Sequence, residues 1–300
     1  MNAQCSPRSN WRAVPAPSGI IPPVPPFARS HIVAGRPLRY LDTGVGQPLV
    51  LLHAFPLSAD MWRPQLAAPP PGWRLITPDL RGFRGVLAAP DSTPVGRVTM
   101  DDYARDVIAL LDHLQIDRAV VGGCSMGGYV TFAVRRLAPE RVRGVVLANT
   151  RPQADSDEGR AKRGEMLALL EREGPAGVAN EMLPKLLGRT SHESRPDVVA
   201  HVRQLIEANP ADAIGAAIGA LRDRPDSTSL LPSIDVPALV IAGDEDTLIP
   251  REAADQMFDA LPDAQLCVIG GAGHLSSLEV PAVFEQALRS FLLVGVGSGA

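Results

Sequence analysis

The chain has 300 residues, 45% of them hydrophobic, which suits one sizeable α/β domain carrying an insertion and is too short for two large independent domains. A formal charge of −4 with 21% charged residues, and no basic stripe, excludes nucleic acid as an expected partner. No uninterrupted apolar run approaches the ~18 residues of a membrane span, no basic segment with a compact apolar stretch opens the chain, and the three cysteines lack the paired spacing of a zinc site. These features predict a cytoplasmic protein without membrane contact, with free thiols at Cys5, Cys124 and Cys267 and no bound metal.

Residues 1–29 form a proline-rich arm (Pro7, Pro15, Pro17, Pro22, Pro23, Pro25 and Pro26). Proline removes backbone donors and favours extended chain, so the arm is expected to be a tail, with a lid or a strap swapped between the halves of a homodimer as alternatives. From residue 31 the pattern turns to short β-type runs at 31–34, 38–41 and the wholly apolar 49–52, which ends at His53. Continuous apolar runs of this length suit strands covered on both faces. Another run at 73–77 stops at Pro78-Asp79. Residues 101–114 have apolar positions at helical spacing and acidic residues in the first turn. A strand at 119–122, a helix at 129–137 and a strand at 142–148 follow.

Composition then shifts. Residues 151–232 contain no strand-like run but have helical segments at 159–172, 177–187, 196–208 and 210–221, separated by glycine, proline and polar breaks. Strand patterns resume at 238–241 and 265–269, a helix is predicted over 281–293, and residues 294–300 remain as a flexible tail. Alternating strand and helix predicts a mostly parallel, doubly wound α/β sheet over residues 30–150 and 233–293. Residues 151–232 are read as a helical cap above its carboxyl edge, where ligands of such sheets sit.

Gly123-Cys124-Ser125-Met126-Gly127 lies between an apolar run and a helical one. A serine on so sharp a strand-to-helix turn has a strained backbone, and glycines on either side let strand and helix approach closely. A serine hydroxyl needs a base to take its proton and a third group to hold that base. His274, in the glycine-rich loop after residue 269, and Asp246, in the loop after residue 241, are the candidates. Asp246 is preferred over Asp244 because it lies deeper in its loop. Cys124 reads as a small packed hydrophobe, and His53 as a structural loop residue.

With His53-Ala54-Phe55-Pro56, Pro78-Asp79-Leu80-Arg81-Gly82, Gly243-Asp244-Glu245-Asp246 and Gly273-His274 in this order, residues 30–293 resemble the α/β-hydrolase superfamily. Within it they are most similar to small capped carboxylesterases and the 3-oxoadipate enol-lactonase group. The resemblance implies Ser125 as nucleophile, His274 as general base, Asp246 as orienting carboxylate, and the backbone N–H groups of Phe55 and Met126 as an oxyanion hole. It implies a small-molecule ester as substrate and no cofactor. Ala54 departs from the glycine usual in that loop, and Arg84 from a small residue. The expectation is a broad short-chain carboxylesterase, with enol-lactonase, carbon–carbon bond hydrolase, perhydrolase and a non-catalytic ligand-binding protein as alternatives. A serine at position 125 disfavours epoxide hydrolases and haloalkane dehalogenases, which use a carboxylate nucleophile.

Overall fold

The structure, a computed structural model, describes residues 4–6, 28–33, 36–85 and 97–296. Its strands are β1 (Gln4–Ser6), β2 (Ala28–Val33), β3 (Arg36–Asp42), β4 (Gln47–Leu52), β5 (Trp73–Pro78), β6 (Ala119–Cys124), β7 (Val142–Ala148), β8 (Ala238–Gly243) and β9 (Ala264–Ile269). They form one sheet in the order β1-β9-β8-β7-β6-β4-β5-β3-β2. The six strands from β9 across to β5 run parallel, and β1, β2 and β3 are antiparallel to their neighbours. The parallel strands are the apolar runs of the sequence. Leu49 to Leu52 and Val120 and Val121 have no exposed surface, as strands covered on both faces require.

Helices α1 (Arg63–Ala67), α2 (Met100–His113) and α3 (Met126–Leu137) precede β7. A reciprocal pair starts α2: the Thr99 hydroxyl accepts from the Asp102 N–H, and the Asp102 carboxylate accepts from the Thr99 N–H. Between β7 and β8 lie α4 (Asp157–Leu186), α5 (Arg189–Ser194), α6 (Pro196–Glu207) and α7 (Ala211–Arg222). The two helices expected at 159–172 and 177–187 are both within α4, which is interrupted at Gly174 (φ +66°, ψ −165°) just before Pro175. Helix α8 (Arg251–Ala260) follows β8, and α9 (Ser276–Glu279) and α10 (Pro281–Phe291) close the fold.

Three features differ from the sequence reading. Helix α8 was not anticipated, although Pro250 marks its N-cap. Leu292–Val296 continues α10 as a π-helical turn with Val296 buried, so the segment expected as a flexible tail has regular structure as far as residue 296. Cys267 is disulfide-bonded, which corrects the expectation of free thiols, while Cys124 is free and buried. Strand β1 falls inside the proline-rich arm and sets Cys5 opposite Cys267 in register; residues 7–27 of that arm lie outside the described residues. Among the described residues no helix is long and apolar enough to cross a membrane.

Candidate active site

Parallel strands in register end on one edge. Cys124 pairs with Ala148, Ala148 with Ile241, and Gly243 with Ile269, and the ladder continues one step beyond each strand. Ser125 N–H donates to Ala148 (2.9 Å), Asn149 N–H to Ile241 (2.8 Å) and Asp244 N–H to Ile269 (3.2 Å). Ser125, Asn149, Asp246 and His274 therefore all leave this edge.

Ser125 occupies the left-handed region (φ +53°, ψ −111°) between β6 and α3, a conformation that costs a non-glycine residue ~1–3 kcal/mol. The surroundings over-determine it. A Cβ on Gly127 would stand 2.2 Å from the Leu52 carbonyl oxygen, and one on Gly123 2.7 Å from the same atom. Only glycines allow α3 to start this close to β4. The Thr150 hydroxyl, donating to the Ser125 carbonyl (2.8 Å), fixes the turn from the β7 side. Met126, the first residue of α3, carries one of the N–H groups that have no partner inside the helix.

His274 and Asp246 come together: Nδ1 of the imidazole lies 2.9 Å from Asp246 Oδ2, and both side chains are nearly sealed from solvent. The other carboxylate oxygen accepts the N–H groups of Leu248 (2.9 Å) and Ile249 (3.0 Å). Asn149 donates to Asp246 Oδ2 (3.0 Å) and to the Gly273 carbonyl (3.1 Å), and accepts from the Ser276 hydroxyl (2.6 Å). Burial raises the Asp246 carboxyl, but His274, Asn149 and the Ile249 N–H more than offset it and hold it below the usual carboxylate value. Asp244 instead accepts the Gly271 N–H (2.7 Å). Cys124, the residue before Ser125, points its thiol at the His274 carbonyl (3.4 Å), and burial pushes that thiol well above its ordinary pKa. It packs as the sequence suggested.

Phe55 follows β4 on the same edge and is buried. Ala54, the departure from glycine, is not among the residues of positive φ, so its methyl group meets no backbone strain. His53 is structural. Its Nε2 accepts the Leu80 N–H (3.0 Å), Nδ1 faces the Ala54 carbonyl (3.0 Å), and burial lowers its pKa to about 4. Asp79 accepts the Ala59 N–H (2.7 Å) and Arg39 (2.6 Å), while Arg81 forks onto Asp106 (2.8 and 2.7 Å). The Pro78-to-Gly82 turn thus braces the segment after Phe55. Arg84 (φ +61°) pairs with Asp60 (3.2 Å) and donates its N–H to Asn209 Oδ1 (3.0 Å).

Sequence reasoning missed Asn149, Asn209 and Glu279. Asn149 has a recognisable signal, a short polar residue at positive φ (+46°) directly after an apolar strand. Asn209, at the end of α6, donates to the Pro56 carbonyl (2.8 Å) and so ties the helical insertion to the segment after Phe55. Nothing local marks it. Among the described residues no cluster of His, Cys, Asp and Glu is arranged to hold a metal ion.

A parallel sheet whose central strand delivers a strained serine into a helix, with a carboxylate–imidazole pair on the same edge, defines a hydrolase of the doubly wound α/β class. The chain belongs to the alpha/beta hydrolase fold family, which it matches over residues 47–281. It is similar to the solved structure of a thermophilic esterase from Thermogutta terrifontis, with 36% identity, a TM-score of 0.83, and 90% of this chain and 99% of that one covered. Similar relatives include 3-oxoadipate enol-lactonase 2 of Acinetobacter baylyi, 29% identical over 81% of this chain and 88% of that protein. Another is 2-hydroxymuconate semialdehyde hydrolase of a Pseudomonas species, 30% identical over 89% and 94%.

Proposed function

We propose that this protein is a serine esterase that cleaves short-chain carboxylic esters through an acyl-enzyme. The observation that carries the reading is the 2.9 Å pair of His274 and Asp246 on the edge where Ser125 leaves β6. Ser125 Oγ attacks the ester carbonyl as its proton passes to His274 Nε2. Asp246, accepting from Nδ1, keeps the imidazole in the tautomer whose Nε2 lone pair is free and balances the imidazolium that forms. The developing oxyanion is held by the N–H groups of Phe55 and Met126. Each such donor typically contributes ~2.7–4 kcal/mol in the transition state.

His274 then returns its proton to the departing alkoxide, leaving an acyl-serine. Water, deprotonated by the same imidazole, releases the acid and restores Ser125. The helical insertion would act as a cap, since Asn209 and Gly188 join it to the loops carrying Phe55 and His274. No cofactor enters these steps. The similarity to an enol-lactonase favours a second reading, a cyclic enol ester as substrate, for which the acyl transfer is the same.

Turnover of p-nitrophenyl acetate and butyrate by wild type and Ser125→Ala tests the proposal. The variant is expected to lose about 10³-fold or more in turnover, and equal rates would refute the assignment. A panel of linear esters of increasing length beside an enol-lactone separates the two substrate readings.

A further inference from the structure

Glu279 is 3% exposed, and among the described residues it forms no ion pair with a lysine or arginine side chain. A carboxylate in that position is costly unless donors surround it. They do. Oε2 accepts the Gly188 N–H (2.7 Å) and the Ser191 hydroxyl (2.7 Å), both from the helical insertion. Oε1 accepts the Leu275 N–H (3.1 Å), the residue after His274. Every one of these partners donates, as an ionised carboxylate demands. Burial nonetheless raises the Glu279 carboxyl overall.

The two segments joined by this carboxylate are in direct backbone contact. A Cβ on Gly273 would lie 2.2 Å from the Gly188 nitrogen, and one on Gly188 2.8 Å from the Gly273 nitrogen. The segments have no regular hydrogen-bond ladder to fix their register, so the carboxylate supplies it.

We infer that Glu279 is a positioning residue for His274: one buried carboxylate clamps the loop carrying the imidazole to the start of α5. The inference rests on His274 being the general base. Asp246 holds the imidazole from the ring side through Nδ1, whereas Glu279 holds it from the backbone side through Leu275.

The other ionisable groups around Glu279 are neutral or have partners of their own. Arg195, at the entry to α6, donates to the Glu279 main-chain carbonyl (3.2 Å) and also pairs with Asp197. The Cys124 thiol on β6 is neutral and held up in part by Glu279 itself. Glu245, from the loop after β8, accepts from Thr190 and pairs with Arg189. On the elements packed against α9, Asp60 is paired with Arg39, Arg63 and Arg84, and Glu285 lies beside Arg289.

Glu279→Gln, Glu279→Asp and Ser191→Ala, assayed for kcat and KM on p-nitrophenyl acetate with melting curves, test this role. Glu279→Gln keeps the size but turns one accepting oxygen into a donor, so ties to Gly188, Ser191 or Leu275 are lost. Its kcat drops at least about tenfold with KM little changed, because the displaced imidazole affects chemistry more than binding. Glu279→Asp keeps an acceptor-only carboxylate on a shorter stem and lowers kcat less than Glu279→Gln does. Ser191→Ala, which removes one tie on the insertion side, also lowers kcat.

A folded Glu279→Gln with the wild-type kcat overturns the inference. Should that variant fail to fold, Ser191→Ala and Glu279→Asp decide, and wild-type kcat in both overturns it. Ser125→Ala run alongside separates the failures. If that variant is inactive while the Glu279 variants behave as wild type, only the positioning role is lost; if it is active, the serine reading falls and this inference with it.

Discussion

Replacing Asp246 by asparagine removes one charge and almost no volume, and the outcome follows from which oxygen meets which donor. Oδ1 accepts two backbone N–H groups, from Leu248 and Ile249, while Oδ2 faces His274 Nδ1 and the Asn149 amide. The new amide has one acceptor and one donor end. Turning the NH2 towards Leu248 and Ile249 would strand two backbone donors, at ~1–3 kcal/mol each. The carbonyl therefore stays with the backbone, and the NH2 faces His274. Nδ1 must then accept, which moves the imidazole proton to Nε2, the nitrogen that takes the Ser125 proton in the proposed mechanism. The base is present but in the wrong tautomer. A change of this kind costs about 10³ to 10⁴ in kcat, roughly 4 to 5.5 kcal/mol. Initial rates on p-nitrophenyl acetate at pH 8, with Asp244→Asn as the control, measure it. Asp246→Asn retaining more than about a tenth of wild-type kcat, or Asp244→Asn losing more, would refute the reasoning, since a shift of tautomer cannot be that mild.

Gly127→Ala sets a methyl group 2.2 Å from the Leu52 carbonyl oxygen and 2.7 Å from its carbonyl carbon. A loss of about 3 kcal/mol or more is expected, and an unchanged melting temperature would show that α3 can retreat from β4. His53 titrates at about 4 in the folded protein against 6.5 as its ordinary value. The unfolded chain binds the extra proton between those values, so stability is lost as pH falls through that window, by about 3 kcal/mol in total. Denaturant midpoints at pH 7 and 4.5 for wild type and His53→Gln test this, and equal slopes in both proteins would count against it. Asn209→Ala removes the bonds to Pro56 and Arg84; a melting temperature lowered with kcat down about tenfold is expected, and a kcat equal to wild type would detach Asn209 from the loop of Phe55.

The elements that positioned the site were legible because their signals are local. An apolar run covered on both faces, a glycine on either side of Ser125, and short polar loops after residues 241 and 269 each declare themselves within a few residues. The preference for Asp246 over Asp244 rested on depth in the loop, and the structure gives the imidazole to Asp246 and the Gly271 N–H to Asp244. What stayed hidden depends on chain brought together from far apart. Asn149 joins β7 to the loops after β8 and β9, and Glu279 meets Gly188 across 91 positions. Strand β1 is three residues long and takes its register from β9. Cys267 was misread as a free thiol because nothing in its spacing marks a disulfide-bonded cysteine. Arg84 was noted as an oddity, but its positive φ and its contact with Asn209 arise from a partner 125 residues away.

The helical insertion between β7 and β8 leaves and rejoins the sheet without interrupting any strand, so it is a part that could be exchanged for the corresponding segment of a relative to change substrate preference. The bonds from Gly188 and Ser191 to Glu279, and from Asn209 to Pro56, limit that freedom. A chimaera that imports foreign helices but loses these few anchor points would inherit a different pocket and a misaligned imidazole together. The transplantable unit is therefore the insertion with its anchors, and its boundaries are set by hydrogen bonds rather than by where the strands stop.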